Sequence, residues 1–337
     1  MELTALVEAV DHVCCRYRLA AFGELLAAAG HVLHLQILPR NWVARLRLFR
    51  SLRGASVVLQ RRLLPIWQIS YLRYCVRHLL FDFDDALFLR DSYSRNGLND
   101  ARRLRRFAVT VRACDAIIAG NDYLRSRTSA IVPGSNVLVI PTCVDSLRYS
   151  PRKLEQGRGE VQLVWIGSSS TLQGLDRCAP LLEAVGEQVP GARLKLICDR
   201  SIALKNLAVD YRPWSEQGEA AELASADIGI SWIPDDDWSR GKCGLKVLQY
   251  MAAGLPVVAN PVGVQAEMVQ RGETGFLASS AAEWVAAIGE LAANPGLRRR
   301  MGEAGRQLVA DRYDVAVAAE QWLQVIDNLG SRSRKTA

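Results

Sequence analysis

Short runs of apolar residues alternate with longer amphipathic stretches along almost the whole chain. Each run has four to seven residues and is rich in valine, isoleucine and leucine, a composition that favours β-strands. Continuous apolar strands separated by helices are typical of parallel sheets that are buried on both faces. The pattern predicts strands at residues 4–9, 32–38, 56–60, 78–83, 116–121 and 137–141, and again at 161–167, 194–199, 227–233, 256–260 and 275–278.

The predicted strands form two sets, which indicates two doubly wound α/β domains. A polar segment at 150–160 interrupts the pattern, and 337 residues suit two domains. We therefore expect an N-terminal domain at 1–150, a C-terminal domain at 151–312, an amphipathic helix at 313–329 and a tail at 330–337. Because open α/β sheets bind ligands at the carboxyl ends of their strands, the expected ligand site is the cleft between the domains.

The positive charge of the chain is concentrated in its first half. The net charge is +7, and residues 1–150 carry 21 arginines, no lysine and 12 acidic residues. Over residues 39–67 the arginines alternate with Trp, Leu and Phe, as in a basic amphipathic helix on an anionic membrane. A solvated helix with one buried face gives the same pattern. Nucleic acid is a third partner for such a segment, but no binding motif supports it, and we predict none.

The cysteines and the hydropathy bear on location. The eight cysteines are scattered without a CxxC pair, so neither a disulfide framework nor a zinc site is predicted. No apolar run is long enough to span a bilayer, and the N-terminus shows no signal-peptide pattern. A reducing cytoplasm is the expected location, and the arginine-rich half extends this expectation to the inner face of the plasma membrane.

Residues 241–263, GKCGLKVLQYMAAGLPVVANPVG, place two lysines at the start of a predicted helix. Lys242 and Lys246 are four residues apart, and like charges at that spacing repel each other on a helix. Helix N-termini also disfavour cations, whereas their free N–H groups bind anions. We therefore predict that a diphosphate lies between the two lysines, on a helix face shared with Gln249. Lysines that extend into solvent are the alternative.

Several separated segments resemble the glycosyltransferases of family 4, the group 1 transferases. The segment LQYMAAGLPVVANPVGVQAEMVQRGETGFLA (248–278) is similar to their C-terminal signature, and NPGLRRRMGEAGRQLV (294–309) is similar to the run that follows it. Upstream, ACDAIIAGNDYLR (113–125) and VIPTCVDSLRYSP (139–151) are similar to further segments of the family. The first 75 residues match poorly and lack the usual Gly-Gly loop.

The resemblance implies a GT-B fold, in which two Rossmann-like domains face each other across a cleft and the C-terminal helix packs back on the N-terminal domain. It implies sugar transfer from a nucleotide-diphosphate-sugar to an acceptor hydroxyl, with retention of configuration and without a metal ion or other cofactor. The expected acceptor is a glycan or a lipid-linked molecule in envelope or extracellular glycan synthesis. Two alternatives stay open: a catalytically degenerate partner subunit, and a sugar-nucleotide epimerase on the same fold.

Two departures from the family pattern affect the expected donor site. The family usually has two glutamates eight residues apart, where this chain has Gly241 and Gln249. It often has G-R-x-x-x-x-K-G, where this chain has GSSSTLQG (167–174), so Ser168 and Gln173 replace two cations. A Gly/Ser loop still offers N–H and hydroxyl donors to phosphate. The donor site is therefore assigned to Gly167, Ser168, Ser169, Trp214, Arg240, Lys242, Gly244, Lys246 and Gln249.

The roles of two donor-site residues are specified further. Lys246 is expected to stabilise the charge that develops on the leaving diphosphate. Trp214, in YRPWSE (211–216), falls where the family lines its nucleobase pocket. A half-buried core tryptophan is the alternative for Trp214.

Candidate catalytic residues of the first half follow predicted strands. His12 is expected to contact the donor sugar or the acceptor, and an ordinary loop histidine is the alternative. Asp84, in FDFDD (81–85), is expected to orient or deprotonate the acceptor hydroxyl, and Asp85 to cap a following helix. Asp82, Asp84 and Asp85 would suit a divalent cation, but the resemblance favours a site without metal.

Overall fold

The computed structural model describes residues 1–151 and 160–334, and for residues 330–334 it describes only the helical backbone. Most of the predicted boundary segment at 150–160 lies outside the described residues, as do the last three residues of the predicted tail. The terminal helix extends to Arg334, so it continues past its predicted end at residue 329.

Strands and helices alternate along the described residues. The strands are β1 (Glu2–Val7), β2 (Val32–Ile37), β3 (Ser56–Gln60), β4 (His78–Phe83), β5 (Ala116–Ala119), β6 (Val137–Val139), β7 (Val161–Ile166), β8 (Ala192–Cys198), β9 (Ala208–Pro213), β10 (Ile228–Ser231), β11 (Val257–Ala259) and β12 (Gly275–Leu277). The helices are α1 (Val13–Arg18), α2 (Gly23–Ala28), α3 (Trp42–Ser51), α4 (Ile66–Cys75), α5 (Ala101–Ala113), α6 (Asp122–Ile131), α7 (Ser169–Arg177), α8 (Ala179–Gln188), α9 (Glu219–Ala224), α10 (Asp237–Arg240), α11 (Leu245–Ala252), α12 (Gln265–Met268), α13 (Ala281–Ala293), α14 (Pro295–Arg312) and α15 (Val315–Arg334).

The chain forms two compact units. Unit 1 comprises Met1–Cys143, Asp236–Cys243 and Val315–Ala337, and unit 2 comprises Val144–Asp235 and Gly244–Asp314. The chain therefore changes units at residues 143/144, and the short segment Asp236–Cys243 belongs to unit 1 although its neighbours in sequence belong to unit 2.

Each unit contains one six-stranded sheet in which the paired strands are parallel. The strand order is β2-β1-β3-β4-β5-β6 in unit 1 and β12-β11-β10-β7-β8-β9 in unit 2. This architecture confirms the predicted α/β class. It also places the segments that follow the strands at the carboxyl edge of each sheet.

All eleven predicted strands are present within the described residues, with ends that differ by up to two residues. The prediction missed β9, which lies at the edge of the unit 2 sheet. Most of its residues are exposed, so it lacks the apolar run that marks a buried strand. A strand with one free edge needs little apolar sequence, and hydrophobic periodicity therefore does not detect it.

Apolar residues cover both faces of the unit 1 sheet. Phe49 of α3, Ile69 of α4 and Phe107 of α5 belong to one buried cluster. The other face carries a second cluster that includes Phe22 and Trp322, whose ring centroids are 6.4 Å apart. The terminal helix α15 therefore contributes to the core of unit 1.

Candidate active site

The unit 2 site begins at the carboxyl end of β7, where the strand order reverses between β8 on one side and β10 on the other. Ligands of open α/β sheets bind at such a reversal. Gly167 and Ser168 connect β7 to α7, and a β-carbon at Gly167 would lie 2.4 Å from the indole of Trp165 and 2.6 Å from the hydroxyl of Thr171. Close packing therefore requires glycine at this position.

The start of α7 presents polar groups to solvent. The N–H of Ser168 donates to Thr171 Oγ1 at 3.2 Å, and the Thr171 hydroxyl donates to the Ser168 carbonyl at 3.0 Å. Ser168 and Ser169 are exposed, and Thr171 is half-buried. These contacts fix the first turn of a helix whose N-terminal N–H groups favour anions.

The helix that carries Lys246 begins later than the sequence predicts. Gly244 has a φ of 68°, a left-handed conformation that favours glycine, and α11 starts at Leu245. The left-handed residue interrupts the helical repeat, so Lys242 lies before the helix. The prediction that Lys242, Lys246 and Gln249 share one helix face is therefore wrong, and only Lys246 and Gln249 belong to α11.

Lys246 lies beside the start of α7. Its ammonium donates to Thr171 Oγ1 at 3.3 Å and lies 4.6 Å from the ring centroid of Trp165. Lys246 is the second residue of α11, so the contact joins the N-terminal turns of α7 and α11. Both helix dipoles and the ammonium favour an anion at this point of unit 2.

A carboxylate that the sequence reasoning missed lies at the same helix start. Asp199 accepts hydrogen bonds from the Ser169 N–H at 2.6 Å and from the Ser169 hydroxyl at 2.8 Å. The hydrogen bond from the Ser169 side chain lowers the pKa of Asp199 below its usual value. Asp199 is the last residue of the strand predicted at 194–199. A charged residue at the carboxyl end of a strand is the sequence signal from which Asp199 could have been identified as a site residue.

Trp214 and Gln249 belong to one hydrogen-bonded group in unit 2. Trp214 Nε1 donates to Glu219 at 2.9 Å, and the Tyr149 hydroxyl donates to the other carboxylate oxygen of Glu219 at 2.9 Å. Gln249 Nε2 lies 3.5 Å from the Tyr149 hydroxyl. Trp214 is 41% exposed, so part of it is open to solvent, and its contact with a nucleobase stays a prediction. Glu219 and Tyr149 are further residues that the sequence reasoning missed.

Lys242 is bonded within unit 1. Its ammonium lies 3.3 Å from a carboxylate oxygen of Asp85 and 5.4 Å from the ring centroid of Trp238. Asn121 Nδ2 donates to the carbonyls of Gly241 at 3.2 Å and Lys242 at 3.0 Å. These bonds attach the segment Asp236–Cys243 to unit 1.

Arg240, the last residue of α10, lies in the same segment. Its side chain is half exposed and lies 3.5 Å from the Asp237 carboxylate, one turn earlier in the chain. Arg240 therefore belongs to unit 1, whereas the groups of Gly167, Ser168, Ser169, Gly244 and Lys246 belong to unit 2.

Arg61 holds two aspartates at the carboxyl edge of the unit 1 sheet. It follows β3 and has a φ of 55°, a conformation that costs energy for a residue with a side chain. Its guanidinium donates to the carboxylate of Asp84 and, at 2.5 Å, to that of Asp85. Residues 86–91 form no helix, so the prediction that Asp85 caps one is wrong.

The environment of Asp84 bears on its predicted role. Burial alone would raise the pKa of Asp84, but the charges of Arg61 and Arg18 outweigh it and lower that pKa. A carboxylate held in its ionised form is a weak base. These contacts favour an orienting role for Asp84 over deprotonation of an acceptor.

Asp82 is bonded to a different arginine. Arg18 Nη2 lies 2.5 Å from Asp82, and both side chains are almost completely buried. The three aspartates of FDFDD therefore all accept hydrogen bonds from arginines. Within residues 1–151 and 160–334, no group of three or more His, Cys, Asp or Glu side chains is arranged to hold a metal ion.

His12 lies at the start of α1, after the carboxyl end of β1. Its Nδ1 accepts a hydrogen bond from the Cys14 N–H at 3.3 Å and caps the helix. A ring nitrogen that accepts a hydrogen bond carries no proton, so the proton of the neutral ring lies on Nε2. The side chain is half-buried. His12 thus has a structural contact, and its catalytic role stays a prediction.

The sequence that forms most of unit 2 also identifies a family. Residues 151–294 match the family described as "Glycosyl transferases group 1". This match covers less than half of the 337 residues and lies within the part of the chain that carries the motifs. The resemblance stated from the motifs is thereby confirmed.

Two curated proteins similar to this chain are D-inositol 3-phosphate glycosyltransferase of Actinosynnema mirum and phosphatidyl-myo-inositol mannosyltransferase of Mycobacterium leprae. The first is 26% identical over 57% of this chain, and the second is 31% identical over 36%. The chain spans 52% of the first relative and 31% of the second.

Solved structures extend the likeness, as a likeness of fold, to almost the whole chain. Sucrose-phosphate synthase from Thermosynechococcus elongatus has a TM-score of 0.79 at 16% identity, over 98% of this chain and 100% of that one. HepE of Anabaena, in complex with UDP and glucose, has a TM-score of 0.70 at 14% identity, over 97% and 100%. The protein therefore has the GT-B fold, as the motifs predicted.

The structure explains how the chain packs at the two positions where the family usually has glutamates. A β-carbon at Gly241 would lie 2.9 Å from both Cβ and the backbone nitrogen of Ala86, and 3.1 Å from Leu124. A glutamate does not fit there unless the backbone moves. Gln249, at the second position, is 4% exposed. Where the family has its two glutamates, this chain therefore has a closely packed glycine, Gly241, and a buried amide, that of Gln249.

Proposed function

We propose that the protein transfers a sugar from a nucleotide-diphosphate-sugar to an acceptor hydroxyl. The observation that carries the proposal is the contact between Lys246 and Thr171, which joins the N-termini of two helices at the strand reversal of unit 2. Backbone N–H groups, hydroxyls and one ammonium converge there, and hydrogen-bond donors of these kinds bind diphosphates. The match of residues 151–294 to the group 1 family supports the assignment.

The chemistry follows from the charge that the leaving group acquires. When the bond between the sugar and the diphosphate breaks, negative charge grows on the phosphate oxygens. Lys246 and the first turns of α7 and α11 stabilise that charge more strongly than they stabilise the intact donor. Trp214, held by Glu219, offers a ring face to the nucleobase. Retention of configuration and transfer without a metal ion or other cofactor rest on the family resemblance.

The acceptor is proposed to meet unit 1. His12 and Asp84 follow strands β1 and β4 at one edge of that sheet, and Asp84 is suited to orient a hydroxyl group. A glycan or lipid-linked acceptor in envelope or extracellular glycan synthesis fits the arginine-rich half of the chain. The relative from M. leprae is named for a phosphatidylinositol, which supports a lipid acceptor. Action on the cytoplasmic side of the membrane belongs to the same proposal.

A ligand screen tests the donor assignment. Binding to the folded state raises its stability, so UDP, GDP or ADP should raise the unfolding temperature. The matching nucleotide-sugars should then be hydrolysed slowly in the absence of acceptor, with release of the nucleoside diphosphate. Absence of both effects for every nucleotide would refute the proposal.

A partner subunit without activity is the second candidate. The packing around Gly241 favours it, because the position of one family glutamate has no room for a side chain. Slow hydrolysis of a donor would exclude this candidate. A protein that binds none of the nucleotides would support it.

A further inference from the structure

A long segment of unit 1 is rich in arginine and contains no acidic residue of its own. Residues 25–81 contain nine arginines and no aspartate or glutamate. The segment includes the helices α3 and α4, whose residues Phe49, Ile69 and Leu72 are buried in the same core. The two helices pack side by side on one face of the sheet, so their other sides form a continuous part of the surface.

Two tryptophans project from this surface. Trp42 is 56% exposed and Trp67 is 52% exposed, and their ring centroids are 6.0 Å apart at an angle of 79°. Val43 beside them is 37% exposed. Burial of such side chains in an apolar phase is favourable, and in this unit they lie against water.

Exposed guanidinium groups lie along the same helices. Arg47 and Arg50 follow Val43 at intervals of four and three residues, which places the three side chains on one stripe of α3. Arg53, just after α3, lies 5.9 Å from the ring centroid of Tyr74, which is 75% exposed. Arg40 is exposed before the helix.

We propose that this surface of unit 1 binds the surface of an anionic lipid bilayer. We call it the Arg-Trp face, and it is formed by Arg40, Trp42, Val43, Arg47, Arg50, Arg53, Trp67 and Tyr74. Tryptophan and tyrosine prefer the boundary between lipid head groups and acyl chains. Arginines beside them meet the negative charge of the lipid head groups. Among the described residues, none of the helices combines the length and the hydropathy that a bilayer-spanning helix needs. The proposed contact is with one surface of the bilayer.

The arrangement of the rings distinguishes a bilayer from a nucleic acid. Proteins that bind single strands present aromatic rings whose open faces stack on successive bases. Trp42 and Trp67 instead contact each other edge to face. The pair forms one compact apolar projection bordered by arginines, which suits insertion between lipid head groups.

The position of the face connects it to the acceptor. Trp42 begins α3 and Trp67 lies in the first turn of α4, and both helices start at the carboxyl edge of the sheet. Asp84 lies at that same edge, after β4. A bilayer on this face would bring lipid-linked acceptors to the edge that carries Asp84. This last step rests on the proposed function, whereas the binding of lipid does not.

Co-sedimentation of the full chain with vesicles tests the face. The vesicles contain one part phosphatidylglycerol to three parts phosphatidylcholine, and vesicles of phosphatidylcholine alone and a short DNA duplex serve as comparisons. We expect binding to the anionic vesicles that high salt reverses. The triple variant R47Q/R50Q/R53Q should bind roughly a hundredfold more weakly. The double variant W42A/W67A should bind at least about tenfold more weakly.

A matched variant in unit 2, R271Q/R299Q/R300Q, removes the same number of exposed arginines. It should bind the vesicles within roughly twofold of the native chain. Equal losses in the two triple variants would show that net charge alone acts, and would overturn the proposal. Preference for DNA over the anionic vesicles would overturn it as well. The rise in unfolding temperature that UDP causes should be the same in R47Q/R50Q/R53Q as in the native chain. A failure of the lipid-binding proposal can therefore be distinguished from a failure of the donor-site proposal.

Discussion

At the carboxyl edge of the unit 1 sheet, Arg18 and Arg61 are bonded to aspartates, whereas at the edge of the unit 2 sheet Lys246 lies beside a hydroxyl and an indole ring. Both edges are polar and both follow parallel strands. The bonds of the unit 1 arginines are made with carboxylates of the same unit, which stabilise the fold. The unit 2 group combines the Lys246 ammonium and the hydrogen-bond donors at the start of α7 with one carboxylate, that of Asp199.

The two lysines of the segment 241–263 show the same contrast. Lys242 is bonded to Asp85 in unit 1, and Lys246 is bonded to Thr171 in unit 2. They are four residues apart in the sequence but belong to different units. Lys242 makes an ion pair within unit 1, and Lys246 donates to a hydroxyl within unit 2, where its role in binding a donor stays a prediction. Four variants test the difference between the two units.

The largest expected effect is on stability, from Asp82→Asn. Removal of one charge of a buried ion pair leaves Arg18 without its counter-charge and should cost about 3–5 kcal/mol of unfolding free energy. Chemical denaturation measures this loss. Asp122→Asn, at an exposed pair with Arg125, is the control and should cost less than about 1 kcal/mol. Equal stability of the two variants would show that unit 1 does not depend on its buried pair.

The next effect is on donor binding, from Lys246→Ala. The loss of a charged hydrogen-bond donor should weaken the binding of a nucleoside diphosphate by about 1.5–3 kcal/mol. Calorimetry measures the affinity, and the unfolding temperature without ligand should be unchanged. Lys242→Ala should leave the affinity close to that of the native chain, and Lys205→Ala is a second exposed control in unit 2. Unchanged affinity in Lys246→Ala would remove the basis of the donor site.

A smaller effect concerns acid unfolding and Asp84. The folded-state pKa of Asp84 lies below the ordinary value of 3.8. A lowered folded pKa contributes stability that is complete above 3.8 and is lost as the pH falls through the folded value. The native chain should therefore lose about 1 kcal/mol more than Asp84→Asn as the pH is lowered below that point. Unfolding curves at several pH values give the difference. Parallel curves would show that Arg61 does not hold this carboxylate ionised.

The smallest effect is expected from Asp199→Asn. The Asp199 carboxylate accepts two hydrogen bonds from Ser169, so a phosphate at the start of α7 must compete with a negative charge. Its neutral replacement should tighten the binding of a nucleoside diphosphate by about 0.3–1 kcal/mol. Asp210→Asn, a variant of an acid bonded to Arg212, should leave the affinity unaltered. Weaker binding in Asp199→Asn would show that Asp199 supports the ligand.

The sequence predicted the fold better than it predicted the site. Buried strands such as β3 and β4 are continuous apolar runs, and their limits were correct to the residue. The edge strand β9 was missed because its residues are mostly exposed. Lys246 and Gln249 were placed correctly on one helix. The partners of Asp84 and Asp85 were not predicted, because Arg61 is more than twenty residues away along the chain.

Apolar periodicity and motifs are local patterns, so the sequence alone was enough to predict two parallel sheets, the resemblance to the group 1 transferases and a helix after residue 243. The tertiary structure decided which charges meet. It separated Lys242 from Lys246 at the left-handed Gly244, and it placed Asp199 at the start of α7. Charged side chains interact through space over a few ångströms, so their partners depend on how distant segments pack, and no local pattern records that.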